Sequence, residues 1–426
     1  HTGSSRSLWT AVAGEARRRG MNLVCFAGGR LSDADHAASS RVYDLAGPEC
    51  LDGIVSWVSS LGGGAEPAEV ERFHERFRAV PLVCLSQQAL GAPTVLLDAY
   101  RGMRAVVDHL LSVHGYRRVA FLRGPASHPS AGDRLRAYRD ELSAHGIAVD
   151  ETLVSPPLPW ESGAEAVAFL LDERGLSPGA GLEAIVAASD LLALEALRAV
   201  QSRGYRVPAD LAITGFNDVA ESRLATPPFT TARMPFGEQG AAALGILADL
   251  MAGIPAPPSH TLPTQLVVRQ SCGCPSAAAA LAGSAAAAAS GGRPAAELAQ
   301  AFAPVRAACL ADMQALAGLG PEAADAWLEP LVDAFLAESA AATGRFTATL
   351  EEVLDRSIRA GVEVSPWQNA VSVLRRGVVG LLAPADQPAA ESLFAQARIL
   401  VSEAAGRERT FRQWRADRLA SSLRDL

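Results

Sequence analysis

Short apolar runs alternate with helix-like patterns along the first two thirds of the chain. Stretches such as residues 101–115 place apolar side chains at helical spacing and end on the glycine that commonly follows a helix. This alternation predicts an α/β fold in which doubly wound parallel sheets are covered by helices on both faces. The strand-like runs are NLVCFA (22–27), GIVSWV (53–58), PLVCL (81–85), RVAFL (118–122), AIVAAS (184–189) and LAITGF (211–216).

The pattern changes after residue 275. Residues 276–294 are rich in Ala, Ser and Gly and predict a linker, although the alanines could instead lengthen a helix. Residues 295–426 contain almost no strand pattern and predict an all-α helical bundle whose segments are separated by Gly and Pro. The last segment, from Gln387 to Leu426, suits one long helix. Its apolar side chains form a coiled-coil-like stripe that begins with Leu393, Ala397, Leu400 and Ala404.

Composition and charge narrow the classes of protein. The 426 residues are 49% hydrophobic and carry a formal net charge of -8, which argues against nonspecific nucleic-acid binding through basic patches. We therefore expect no direct DNA contact from this chain. The sequence contains no membrane segment and begins without a signal-peptide pattern, and its 6 cysteines are scattered. A cytoplasmic location is the expectation.

Polar side chains follow several of the predicted strands. Ser189 and Asp190 follow AIVAA, Asn217 ends LAITGF, and His128 lies in the loop after RVAFL. Ligands bind at the carboxyl ends of strands in open parallel sheets, so these clusters predict a binding crevice. The alternative is that Asp190 and Asp218 cap the helices that follow them.

Three larger side chains are further candidates for ligand binding. Arg134 lies at the start of a helix, where the helix dipole disfavours a cation unless a polar or anionic group needs it. It could instead pair with Asp133 or Asp140. Trp160 and Trp57 stand beside loops, where each could stack on a flat ligand or simply pack.

No residue pattern indicates catalysis. The histidines are dispersed, no serine elbow or phosphate loop occurs, and no nucleophile with an adjacent base can be located. Cys272-Gly-Cys274 lacks a second Cys or His pair at ligand spacing, so two free thiols are the preferred interpretation. We therefore expect no metal, no cofactor and no enzymatic activity; a hydrolase or transferase would need the missing pair.

An ordered series of motifs resembles the sensor core of LacI/GalR-type repressors, which is similar to periplasmic sugar-binding proteins. It comprises VPLVCLSQQ, VLLDAYRGMRAVVDHLLSVHGYRRVAFLRGP, DRLRAYRDEL, and ASDLLALEALRAV through ITGFND to LVVRQSCGC. The resemblance implies two doubly wound subdomains of periplasmic-binding-protein type I within residues 1–275. We place one at about 1–123 plus 233–258 and the other at about 124–232 plus 259–275.

The resemblance also implies roles for individual residues. Arg134 stands where the family's ligand-binding arginine opens a helix, and Ser189 stands at a position that is often polar. Asn217 occupies a position where the family usually has Asp, which removes a charge-assisted hydrogen bond to a sugar hydroxyl. Trp160 lies near the family's stacking aromatic but is displaced by about two residues from the usual spacing.

Two features differ from such repressors. The sequence has no segment that matches their helix-turn-helix or the first strand of their core, and about 150 helical residues follow the core. Our leading hypothesis is a homodimeric sensing module for a small polar metabolite, a sugar or a nucleoside-like molecule. Its C-terminal helix would couple ligand-driven closure to a downstream output domain, such as a histidine kinase. The alternative is a LacI-family transcriptional regulator whose DNA-binding headpiece lies upstream of His1.

Overall fold

The computed structural model describes residues 3–31, 40–62, 65–282, 295–338 and 343–424. The chain divides into two compact units, His1–Gly273 and Cys274–Leu426. Most of the predicted linker (residues 283–294) and the termini His1 and Leu426 lie outside the described residues. Within the described part, no helix is long and apolar enough to cross a membrane.

The described residues of the first unit form nine strands in two sheets. The first sheet is parallel with the order β1-β2-β3-β8, and the second has the order β4-β5-β6-β7-β9, in which β9 alone is antiparallel to its neighbour. The strands are β1 (Ile54–Ser56), β2 (Leu82–Leu85), β3 (Thr94–Leu97), β4 (Val119–Leu122), β5 (Ala184–Ala187), β6 (Ala212–Asn217), β7 (Thr230–Arg233), β8 (Ser259–Leu262) and β9 (Gln265–Val267).

Helices separate and cover these strands. The α-helices of the first unit are α1 (Gly3–Arg18), α2 (Val58–Leu61), α3 (Pro67–Glu75), α4 (Ala99–Ser112), α5 (Pro129–Ala144), α6 (Gly163–Ala168), α7 (Asp190–Ser202), α8 (Ala220–Leu224) and α9 (Phe236–Met251). Short 3-10 turns cover Arg41–Leu45, Glu151–Leu153 and Gln270–Cys272, and a π-helical turn covers Phe169–Glu173. Every residue of β4 and β5 is buried, as expected for strands covered on both faces.

Three connections join the sheets and define two lobes. After β3 the chain enters α4, which packs on the second sheet; after β7 it enters α9, which packs on the first; and β8 leads into β9. Hydrogen bonds tie the first connection to the third: Asp98 N donates to Leu262 O at 3.0 Å, and Thr264 Oγ1 donates to Asp98 O at 2.9 Å. The predicted two-subdomain α/β fold is confirmed.

Two strands lie in the opposite lobe from the predicted division. β4 at 119–122 pairs with β5 in the second sheet, although the boundary was placed at residue 123. β8 at 259–262 pairs with β3 in the first sheet, although it was assigned to the second subdomain. The apolar pattern locates a strand, but pairing with strands far away in sequence decides which sheet it joins.

Residues 22–27, which were predicted to form a strand, join neither sheet. Extended backbone becomes a strand only when a neighbour completes its hydrogen bonds, and no described strand lies alongside this segment. Leu23 and Val24 are correspondingly 39% and 62% exposed.

The second unit is entirely helical among its described residues, which confirms the predicted helical region. Its α-helices are α10 (Ala277–Ala282), α11 (Ala295–Ala317), α12 (Pro321–Glu338), α13 (Arg345–Arg359), α14 (Trp367–Val378) and α15 (Gln387–Arg424), with a 3-10 turn at Val379–Leu381. Phe335 packs on Phe394 and Phe346 in the core, with ring centroids 4.8 and 5.2 Å away.

The predicted apolar stripe on the last helix serves this bundle. Ala397, Leu400 and Ala404 are buried in the bundle core, and Leu393 is partly buried against it. This half of α15 is therefore a packed bundle helix rather than an exposed coiled-coil surface. Further along, Phe411 is 42% exposed and stacks on Trp414.

Gly163 allows α6 and α7 to approach each other closely. A Cβ at this position would lie 2.9 Å from Ala196 N and still closer to the Leu192 carbonyl oxygen. We expect Gly163→Ala to lower the free energy of unfolding by about 1–3 kcal/mol through overpacking. The measurement is urea unfolding followed by circular dichroism. Gly14→Ala in α1, where no atom lies within 4 Å of the new Cβ, is the control and should stabilise slightly; equal midpoints for the two variants would contradict this packing role.

Candidate functional site

A buried arginine occupies the carboxyl end of the second sheet. Arg134 on α5 is 4% exposed, and its guanidinium donates through Nη1 to Ala188 O just beyond β5. Nη2 donates a longer bond of 3.4 Å to Asn217 Oδ1 at the end of β6. The side chain therefore spans the ends of two neighbouring strands, where a parallel sheet opens into a crevice.

Two aromatic rings flank the guanidinium. Arg134 Cζ lies 4.0 Å from the centroid of Phe216 and 5.7 Å from that of Trp160. Both distances allow a cation to be attracted to the face of a ring. Trp160 itself fits because residue 124 is glycine: a Cβ there would lie 2.5 Å from Trp160 Cη2. The backbone of the β4 loop thus makes room for the indole.

The charge of Arg134 is only partly compensated. Its Nη groups bond to a carbonyl and an amide oxygen rather than to a carboxylate, and its buried Nε has no hydrogen-bond partner among the described residues. Burial lowers the pKa of Arg134 to about 9, while the more distant charges of Asp190 and Asp133 act in the opposite direction. An unpaired buried donor costs free energy, so this guanidinium retains capacity to bind an acceptor.

His128 lies beside the same group at the start of α5. Its ring meets the Trp160 ring edge to face at 5.3 Å, and its buried Nδ1 has no hydrogen-bond partner in the described part of the chain. Burial, together with the positive charges of Arg134 and Arg30, lowers the pKa of His128 to about 4. The imidazole is therefore neutral at physiological pH and can accept or donate a hydrogen bond. No sequence pattern had singled out Arg30, whose charge acts on His128.

Ser189 and Asp190 are engaged within the protein. Ser189 Oγ caps α7 by accepting from Leu192 N at 3.2 Å. Asp190 is fully buried and accepts from Val219 N and Thr231 Oγ1, both at 2.8 Å, which joins β6 and β7 to the start of α7. Burial raises the pKa of Asp190 to about 6. Ser189 rather than Asp190 therefore caps α7, and Asp190 instead bonds to the segments after β6 and in β7. A role of either residue in ligand binding stays a prediction.

Asp218 holds three arginines together. Its buried carboxylate forms ion pairs with Arg223, Arg233 and Arg269 at 3.1, 2.6 and 2.6 Å. Burial alone would raise the pKa of Asp218, but the hydrogen bond from Arg233 and the charges of Arg269 and Arg223 lower it instead. Asn217 and Asp218 have φ values of 120° and 58°, an unusual backbone that lets the neighbouring side chains serve different partners.

The contacts of Trp57 lie in the first lobe, not with Arg134 and its neighbours in the second lobe. It follows β1 in the first lobe, where its ring lies 6.1 Å from that of Phe236 and packs against the core under the first sheet. The structure thus brings together Arg134, Asn217, Trp160 and His128 in the second lobe. The contacts of Trp57 favour packing, and its predicted role in stacking on a ligand stays a prediction.

Comparison with known proteins agrees with this architecture. The family model described as "Periplasmic binding protein-like domain" matches residues 107–272. The HTH-type transcriptional regulator CelR of Thermobifida fusca is 36% identical over 189 residues, which are 43% of this chain and 54% of CelR. DegA of Bacillus subtilis, also an HTH-type transcriptional regulator, is 28% identical over 242 residues, 56% of this chain and 69% of DegA. The chain carries a LacI/GalR-type periplasmic-binding-protein-like domain.

Solved structures resemble the LacI-type domain in the same way. The structure of a CelR–cellobiose complex is 28% identical with a TM-score of 0.53, covering 63% of this chain and 79% of that one. The Escherichia coli repressor AscG is 26% identical with a TM-score of 0.50, covering 63% and 94%. The chain spans about half the length of the curated CelR sequence that it matches.

These relatives overturn the leading hypothesis from the sequence. CelR, DegA and AscG are HTH-type transcriptional regulators, whereas we expected the sensor region of a histidine kinase. The kinase hypothesis is wrong, and the alternative of a LacI-family regulator fits the relatives better. The expectation that the chain is not an enzyme agrees with relatives that are transcriptional regulators, and nothing supports a kinase output.

Acidic pH should destabilise the LacI-type domain through His128. The unfolded chain binds a proton near the ordinary histidine pKa of 6.5, whereas burial holds the folded pKa at about 4. Between these values the unfolded state binds more protons, so stability falls as the pH falls. From about pH 7 to about pH 5, the urea midpoint of His128→Gln should therefore decrease less than that of the wild type.

The matched control is His260→Gln, an exposed position on β8, which should keep the wild-type pH dependence. An equal decrease in the urea midpoints of the His128→Gln variant and the wild type would show that folding does not lower the pKa of His128, which would contradict the prediction.

Proposed function

We propose that this chain contains the effector-binding part of a LacI-type transcriptional regulator, and that its effector is a small polyhydroxylated metabolite of the sugar or nucleoside class. The observation that carries the proposal is the environment of the Arg134 side chain. Its guanidinium is buried at the end of the second sheet, lies over Phe216 and retains a partnerless Nε. A ligand acceptor would satisfy this donor where the protein does not.

The surroundings of Arg134 favour a ring with polar edges and an apolar face. Trp160 offers a half-buried aromatic surface, while Asn217 offers both a donor and an acceptor at its amide. The CelR relative has been solved in complex with cellobiose, which supports a carbohydrate as the first ligand class to test. Because the cation lacks a carboxylate partner, sugar acids belong in the same test.

A ligand at this site would act on the connections between the lobes. Asn217 precedes Asp218, whose carboxylate holds Arg233 at the end of β7 and Arg269 beyond β9. Binding that favours one arrangement of the lobes would shift the population toward it, by no more than the difference in affinity between the two arrangements.

The regulator would act as a homodimer in the cytoplasm, and DNA would be bound by a headpiece outside this acidic chain. The formal net charge of -8 supports a role for these residues in sensing rather than in contacting phosphates.

Removing the guanidinium should weaken effector binding. We expect isothermal titration of the full chain with a panel of sugars, nucleosides and sugar acids to identify a ligand. Arg134→Gln should then raise its Kd by about 10- to 100-fold, since hydrogen bonds to a charged group are lost. The control is Arg136→Gln on the same helix, whose exposed side chain pairs with Asp133 and should leave the Kd unchanged.

Asn217→Ala provides a second variant if Arg134→Gln alters folding, which thermal unfolding would reveal. A panel without any binder, or unchanged affinity in both folded variants, would remove the assigned site.

Coupling to transcription is tested separately with the product of the complete gene. The effector should change its affinity for operator DNA in a fluorescence anisotropy titration. Arg134→Gln should keep DNA binding but shift the effector concentration at half response upward by the same factor as the Kd. Effector binding without any change in DNA affinity would leave the binding site intact and contradict the regulator assignment.

A further inference from the structure

Two histidines and two cysteines from distant parts of the chain converge at the end of the second lobe. His109 lies in the last turn of α4 and His114 just beyond it, while Cys272 ends the 3-10 turn after β9. Cys274 follows two residues later, so chain continuity places it beside Cys272. One potential ligand atom from each of the four side chains lies within 4.8 Å of all the others.

The spacing approaches that of a tetrahedral metal site. Zinc binds sulfur at about 2.3 Å and imidazole nitrogen at about 2.0–2.1 Å, which places the two ligand atoms about 3.6 Å apart at the tetrahedral angle. Cys272 Sγ and His109 Nε2 are 3.4 Å apart. The remaining separations, up to 4.8 Å, need only a contraction of about 1 Å, within reach of side-chain rotation.

Neighbouring groups orient these side chains. The His114 ring stacks on Tyr116 with 5.3 Å between centroids and meets His109 edge to face at 5.1 Å. Tyr116 OH donates to Cys272 O at 3.2 Å, which fixes the backbone of the cysteine turn to the same tyrosine. Metal ligands are commonly held by such outer contacts.

Gly273 permits the turn between the cysteines. Its φ of 105° lies in the left-handed region, and a Cβ there would be 3.4 Å from both His114 Cε1 and Tyr116 OH. The backbone therefore passes close against the histidine while it turns from one thiol to the next.

The chemistry of the four side chains suits a soft divalent cation. His109 and Cys272 are buried, and His114 and Cys274 are partly exposed. Thr230 Oγ1 lies 3.0 Å from Cys272 Sγ and can donate to a thiolate there. Two sulfur and two nitrogen ligands favour zinc over the hard cations calcium and magnesium.

We propose that His109, His114, Cys272 and Cys274 bind one zinc ion as a closed structural site. Four protein ligands leave no open position for substrate water, which distinguishes such a site from a catalytic one. The ion would join the end of α4 to the segment after β9, and its binding free energy would add to the stability of the folded second lobe. Binding replaces the thiol protons, which are released to solvent.

Cobalt(II) is the probe of choice because its absorption reports thiolate ligands and tetrahedral geometry. The full chain, reduced and freed of metal with a chelator, should take up one equivalent of Co²⁺ with a thiolate-to-cobalt charge-transfer band. Zn²⁺ should then displace the cobalt and raise the unfolding temperature.

Cys274→Ser and His114→Gln should each weaken Co²⁺ binding by about 10-fold or more and reduce the charge-transfer band. Cys50→Ser, at an exposed cysteine that bonds to the carbonyls of Leu45 and Gly47, is the matched control and should bind as the wild type does. Arg134→Gln should also bind metal normally, which separates this site from the proposed effector site.

The proposal is overturned if the reduced wild-type chain binds no stoichiometric cobalt, or if Cys274→Ser binds with unchanged affinity and spectrum. A Cys272–Cys274 disulfide that persists in reductant, measured by thiol titration, would overturn it as well. Circular dichroism of each metal-free variant distinguishes loss of ligands from loss of fold.

Discussion

A buried guanidinium, which has no carboxylate partner in the part of the chain that the structure describes, is the constraint on which the site in the second lobe depends. Arg134 is stabilised by the Ala188 carbonyl and the face of Phe216 rather than by an opposite charge. Such an arrangement is costly to desolvate, and an acceptor that bonded to the guanidinium would offset part of that cost. The neighbouring side chains do not neutralise the cation either. His128 is neutral at physiological pH, and it lies edge to face against the half-buried Trp160.

The carboxylates that could have neutralised Arg134 have other tasks. Asp190 binds the backbone of Val219 and the hydroxyl of Thr231, and Asp218 is surrounded by three other arginines. Acid groups near the strand ends thus maintain the scaffold, while the amide of Asn217 faces the cation. Asn217 therefore accepts a hydrogen bond from Arg134 without placing a carboxylate beside the cation.

Periodicity along the chain was sufficient to predict β1, β2, β4, β5 and β6, the helical second unit and the polar ends of β5 and β6. It did not single out β3, β7, β8 or β9 as strands. It could not assign β4 and β8 to their sheets, because sheet membership depends on partners far away in sequence. The strand predicted at residues 22–27 failed for the same reason. Cys272 and His114 stand more than 150 residues apart, so no local spacing rule could join them.

Hydrogen bonds and ion pairs join the three connections between the lobes in pairs. Asp98 bonds the first to the third through Leu262 and Thr264, and Asp218 bonds the end of β7 to the segment beyond β9. A twist confined to one connection would break these bonds. If the lobes rotate relative to one another, all three connections have to move together. The binding free energy of the proposed effector would then drive one concerted motion rather than separate movements of independent loops.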